Sequence, residues 1–192
     1  NIPIKRNVNL IEKKYGLHNS QYLLFLGRLV PEKGITYLID AFKKVKTDKK
    51  LVIAGGASDT DMFVRELKNK ANDDDRIIFT GFVQDKILEE LYSNAYVYIL
   101  PSDLEGMPLS LLEAMSYENC CLVSDISECT EVVEDKAVIF KKGDIQDLQQ
   151  NLQVLCDDIN KVKQYEKGTA DFIFKKYNWD DIVSETIELY RP

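Results

Sequence analysis

Six short apolar runs, separated by stretches whose apolar residues recur at helical intervals, constrain this chain more than any other feature. Residues 22–26, 51–54, 77–79, 96–100, 120–123 and 137–140 are apolar along most of their length instead of alternating with polar residues. Strands of that kind have no solvent face. They belong in a sheet covered on both sides, which parallel strands achieve when helices make right-handed crossovers between them. Between the runs, Ile35, Leu38, Ile39, Phe42 and Val45 fall at helical spacing, as do Met62, Phe63, Leu67 and Ala71. Ile87, Leu88, Leu91, Tyr92 and Ala95 do the same, and so do Ile145, Leu148, Leu152 and Leu155, with Asp144 as the cap. Residues 108–117 read as a further helix and 131–134 as a single helical turn. The expected fold is α/β, a Rossmann-like parallel sheet with helices on both faces.

The ends of the chain read differently. Residues 1–20 are expected to hold a linker and a short helix over 9–15, closed by Gly16. At the other end Trp179, Ile182, Val183, Thr186, Ile187 and Tyr190 make one apolar face, predicting a terminal helix over 178–192. With 192 residues, 45% of them hydrophobic, the chain is long enough for one domain with a sizeable core, taken here as 1–192.

Charge and cysteine usage narrow the function. A formal net charge of -7 disfavours nucleic acid or an anionic membrane surface as the main partner, because both need clustered cations. No apolar run reaches the length of a membrane span and no leader opens the chain, so a cytoplasmic location is expected. The four cysteines, Cys120, Cys121, Cys129 and Cys156, form no C-x-x-C pair, and the one histidine, His18, lies in a polar link. A zinc site is not expected, and no mechanism can lean on a histidine base. Asp73-Asp74-Asp75 reads as a solvated loop and no D-x-D motif stands at a strand end, so no metal or other cofactor is expected.

Two stretches carry the chemistry. After the first apolar run comes Gly27-Arg28-Leu29-Val30-Pro31-Glu32-Lys33-Gly34, and after the fourth comes Pro101-Ser102-Asp103-Leu104-Glu105-Gly106-Met107-Pro108-Leu109-Ser110-Leu111-Leu112-Glu113-Ala114-Met115. A nicotinamide enzyme would show G-x-G-x-x-G at the first position, and this chain does not. Arginine forks onto phosphate oxygens and lysine adds a mobile point charge, so Arg28 and Lys33 suit a diphosphate. Glu105 falls in a loop and Glu113 on the helix that follows. Backbone N–H groups at that helix end would attract an anion.

Together the two stretches resemble the Gly-Arg-x4-Lys-Gly turn and the Glu-x7-Glu signature of the retaining glycosyltransferases of GT-B family 4, over residues 20–190. The resemblance implies the C-terminal, donor-binding half of such an enzyme, a hexosyltransferase whose donor is a nucleoside-diphosphate sugar. Its own N-terminal acceptor domain would be the partner, with any peripheral membrane contact made through that domain. Arg28, Lys33 and Glu105 would be catalytic. Gly27, Arg28, Lys33, Val83, Glu105, Gly106, Met107, Pro108, Leu109, Ser110 and Glu113 would bind the sugar nucleotide without a metal. Glu113 is implied to hold the ribose hydroxyls, Glu105 to meet only the transferred sugar, and the backbone at Gly81-Phe82-Val83 to hold the base. The departing phosphate would help take the acceptor proton. Where relatives often carry a glycine-proline-glutamate turn, this chain has Ser127-Glu128-Cys129-Thr130-Glu131, with Glu131 as the matching acid. A sugar-nucleotide-binding or interaction module without turnover is the alternative reading.

Overall fold

The computed structural model describes residues 3–56, 61–177 and 187. One parallel sheet holds β1 (Tyr22–Leu26), β2 (Lys50–Ala54), β3 (Ile77–Gly81), β4 (Val97–Leu100), β5 (Cys121–Ser124) and β6 (Val138–Phe140). Their order across the sheet is β3-β2-β1-β4-β5-β6. Around them lie α1 (Leu10–Tyr15), α2 (Ile35–Phe42), α3 (Asp61–Ala71), α4 (Asp85–Asn94), α5 (Leu109–Ser116), α6 (Ser127–Val133), α7 (Ile145–Asp157), α8 (Ile159–Glu166) and α9 (Thr169–Lys176). The expected α/β Rossmann-like architecture is the observed one.

The strand order has a direct consequence for function. The chain lays down β1, β2 and β3 in one direction, then returns across the sheet to place β4 on the free side of β1, with Leu24 opposite both Val52 and Tyr98. At such a switch point the loops leaving the two central strands diverge and open a crevice at their carboxyl ends. The central strands are buried on both faces: Leu23, Leu24, Phe25, Val52, Ile53, Tyr98, Ile99, Leu122 and Val123 have no accessible surface. Burying a large apolar side chain contributes roughly 1.5–3 kcal/mol, so the base of the crevice rests on a strongly held core.

Local signals place the helices as the sequence implies. Gly16 closes α1 in the left-handed conformation, and Asp144 accepts from the N–H groups of Gln146 and Asp147 at the start of α7. A helix of six residues has little stability of its own. What holds α1 is Glu90 on α4, a buried carboxylate that accepts from Asn9 N at 3.1 Å and Ile11 N at 3.0 Å.

Three expectations need correction. The single turn at 131–134 is a longer helix beginning at Ser127, because Cys129, Val132 and Val133 recur at helical spacing and are buried together; Glu134 ends it at φ 48°. Asp73-Asp74-Asp75 is not simply a solvated loop. Asp74 takes a forked pair of bonds from Arg76, at 2.9 and 2.6 Å, which lowers its carboxyl below the usual range. Arg76 in turn donates to the carbonyls of Val45 and Thr47 and stacks on Phe42, clasping the end of α2. Met62, assigned to an apolar face, is exposed. The predicted helix over 178–192 lies outside the described residues except at Ile187.

The Glu90 bridge can be tested against the cap at Asp144. Glu90→Ala leaves two backbone donors without their acceptor and should lower stability by about 2 kcal/mol, whereas Asp144→Ala, at a half-buried cap, should lower it by about 1 kcal/mol. Urea titrations give the ranking, and hydrogen exchange should show α1 amides losing protection in the first variant alone.

Candidate functional site

The crevice is built from the loop after β1 and the loop after β4. Gly27 N donates to Ala54 O and Leu29 N to Gly56 O, so the first loop continues the ladder for three residues beyond β1. A side chain at Gly55 would overlap the Gly27 carbonyl, which is why two glycine backbones can stack here. The loop then closes in a 3₁₀ turn over Pro31–Lys33 and ends at Gly34, left-handed at φ 67°. A Cβ at Gly34 would collide with the Pro101 carbonyl and the Tyr37 hydroxyl, so glycine is required both for conformation and for approach.

Hydrogen bonds lock the two loops together. Tyr37 donates its hydroxyl to Pro101 O and reaches Asp103 Oδ1, while Asp103 N donates to Glu32 O at 2.8 Å. Burial first, and the Asp103 carboxylate second, hold the Tyr37 hydroxyl protonated far above its ordinary range. Ser124, at the end of β5, donates to Ser102 O at 2.6 Å. Ser102 donates to Glu105 Oε1, also at 2.6 Å.

Lys33 and Glu105 meet in this lock. Lys33 Nζ lies 2.6 Å from Glu105 Oε1, and the two side chains are 15% and 5% exposed. The sequence assigns them separate ligands, one a diphosphate and the other only the transferred sugar. The structure joins them, so whatever Glu105 does, it also fixes the Lys33 ammonium at the mouth of the crevice. Cys129 lies close beneath; burial and then the Glu105 charge push its thiol up to about 12, leaving no thiolate nucleophile there.

Arg28 is exposed and lines a cleft of about 290 Å³ with Leu26, Gly27, Gly55, Gly56, Phe82 and Val83. Thus Val83, far from Gly27 and Arg28 in sequence, shares one hollow with them at the ends of β1, β2 and β3. On the opposite side Pro108 is the N-cap of α5 instead of its first helical residue, is buried, and supplies no side-chain cap. Gly106, Met107 and Leu109 are exposed at this end of the helix. A Cβ at Gly106 would meet nothing within 4 Å, so the backbone there faces open space. Ser110 is tied from below by Tyr98, whose hydroxyl lies 2.8 Å from Ser110 Oγ. Glu113, one turn further, is exposed and accepts from Tyr92 OH at 2.9 Å. Glu131 is exposed on α6 and contributes its carbonyl to Lys176.

Residues that sequence reasoning passed over are those underneath: Tyr37, Tyr92, Tyr98, Ser102 and Ser124. Tyr92 and Tyr98 sit at apolar positions of a helix and a strand, where only the ring is legible, and Tyr37 lies off the apolar face read for α2.

Fold and crevice define a Rossmann-like domain, with two cations and a helix N-terminus in the loops at the switch point. The family described as Glycosyl transferases group 1 matches residues 7–172, and the chain belongs to that family. Over 184 residues the chain is 28% identical to O-antigen chain mannosyltransferase B of Escherichia coli, covering 93% of this chain and 48% of that protein. It is 29% identical over 179 residues to an uncharacterized glycosyltransferase of Methanocaldococcus jannaschii, covering 90% of this chain and 45% of that protein. In structure it matches HepE of Anabaena, crystallised in complex with UDP and glucose, with TM-score 0.84 at 20% identity over 93% of this chain and 50% of that one. That last likeness is one of fold. The chain spans about half the length of the relatives it matches.

The buried pair makes a stability prediction. Removing one partner strands the other charge, so Lys33→Met should destabilise the fold by roughly 3 kcal/mol. Adding Glu105→Gln, which keeps an acceptor for Ser102, should restore most of that loss. Denaturant midpoints of the two single variants and the double decide it; additive losses would mean the pair is not coupled.

Proposed function

We propose that this chain is the donor-binding, C-terminal half of a retaining glycosyltransferase of GT-B family 4, transferring a hexose from a nucleoside-diphosphate sugar to an acceptor held by an N-terminal domain. One observation carries the reading: the loops leaving β1 and β4, the two strands at the switch point, carry Arg28 and Lys33 on one side and, on the other, Glu105, paired with Lys33, and the first turn of α5, which has no side-chain cap. Cations and a helix N-terminus suit a diphosphate, and an acceptor-only carboxylate suits a diol. Family membership and the UDP held by the Anabaena protein of the same fold support a sugar nucleotide as the ligand.

The roles we assign are these. The base enters the hollow beside Phe82 and Val83, and Glu113 takes the ribose hydroxyls. Arg28 and Lys33 flank the diphosphate. Glu105 Oε1 is engaged by Lys33 and Ser102, which leaves Oε2 for a hydroxyl of the donor sugar above Gly106, Met107 and Ser110. As the bond to the sugar breaks, negative charge grows on the departing phosphate. Lys33, already fixed by Glu105, stabilises that charge with little reorganisation at the moment of reaction. The departing phosphate then helps take the acceptor proton on the same face of the sugar, so this half supplies no base. The two cations do the neutralising work that a divalent metal does elsewhere.

Calorimetry tests the assignment. Arg28→Ala should weaken binding of UDP, GDP or ADP, whichever binds tightest, by about 10- to 150-fold, the effect of losing bonds to a charged group. The corresponding bare nucleoside should bind as before, and EDTA should leave the diphosphate affinity unchanged. Equal losses for nucleoside and diphosphate would remove the phosphate role from Arg28.

A further inference from the structure

Tyr92 is 1% exposed on α4, among side chains where phenylalanine would pack equally well, so its hydroxyl needs an explanation. Its ring is fixed by stacking on Tyr117, with centroids 5.4 Å apart and planes at 15°, and by a tilted contact with Tyr98. The hydroxyl lies beneath the first turn of α5, 2.9 Å from Glu113 Oε2 and 3.2 Å from Ser110 O. It has one proton to give, and the charged carboxylate at the shorter distance is the stronger acceptor. Burial first, and then Tyr98 and Glu113, hold the hydroxyl protonated far above its ordinary range, so it acts as a donor throughout the neutral range. Tyr98 supports the same turn from the sheet, with its hydroxyl 2.8 Å from Ser110 Oγ and 3.3 Å from Leu26 O.

We propose that Tyr92 is a positioning residue for nucleotide recognition: its hydroxyl grips one oxygen of the exposed Glu113 carboxylate from below and so presents the carboxylate, pre-oriented, to the ribose diol. This rests on the ribose role given to Glu113 above. An exposed glutamate otherwise samples several rotamers and loses that freedom when a ligand binds. Here the restraint is in place beforehand, and Oε1 takes no hydrogen bond among the described residues. The contribution is therefore to affinity for nucleotides that carry the diol and to no others.

The test measures affinities of this chain, by calorimetry, for whichever of UDP, GDP and ADP binds tightest and for its 2′,3′-dideoxy counterpart. Tyr92→Phe keeps the ring and removes the hydroxyl. It should weaken the ribonucleotide by about three- to tenfold, as expected for one lost hydrogen bond, and leave the dideoxy nucleotide unchanged. In a Glu113→Gln background, where the charged acceptor is gone, the same substitution should have no such effect on the ribonucleotide. The ratio of the two affinities does not depend on the folded fraction, so partial destabilisation cannot mimic the result. Equal weakening of both nucleotides, no weakening of either, or the same loss in the Glu113→Gln background would overturn the positioning role while leaving the ribose role of Glu113 intact. If the unsubstituted chain binds the two nucleotides alike, the ribose role itself fails and takes this inference with it.

Discussion

Everything at the crevice depends on how closely two loop backbones approach at Gly34 and Pro101. Only a residue without a side chain fits between the Pro101 carbonyl and the Tyr37 ring, and it must also turn left-handed to end the 3₁₀ turn. From that contact the rest follows. Asp103 reaches Glu32, Ser102 reaches Glu105, and Glu105 reaches Lys33. A shift of one loop by an ångström would break all of these together, because hydrogen bonds weaken steeply with distance and angle. The lock thus turns a loose pair of strand ends into a rigid seat for charge.

That seat answers an electrostatic difficulty. A chain with net charge -7 repels anions at long range, so an anion must be held by groups within a few ångströms of it. Lys33 is held by a carboxylate that is almost entirely buried, which lowers the field the ammonium projects while fixing its position. Arg28, exposed in the neighbouring hollow, carries no comparable restraint among the described residues. On the proposed reading, one cation supplies geometry and the other supplies attraction.

Much of this was legible in the amino-acid sequence, and what was not shares one physical cause. The strands were readable because two-sided burial forces continuous apolar runs, and Gly16 and Asp144 were readable because caps are local chemistry. Lys33 stood out as a cation beside glycine, and Glu105 only through the resemblance of its stretch to a family signature. Their pairing was not, since 72 positions separate them and nothing in either neighbourhood points to the other. Tyr92 and Tyr98 were taken as apolar positions because periodicity reports where a ring goes and says nothing of its hydroxyl. The helix at Ser127 was shortened because its polar residues masked the spacing of Cys129, Val132 and Val133.

The strand order also fixes when the crevice can exist during folding. The β1–β4 seam pairs Leu23 with Val97, so the chain between them must be laid aside before the two central strands can meet. Closing so large a loop carries an entropic penalty that is offset only when its own strands and helices are already in place. As the chain emerges from the ribosome, β1 has β2 and β3 to pair with long before β4 arrives. The first three strands can therefore assemble as an open half with no crevice at all, and the seat for charge appears only once β4 has docked on β1.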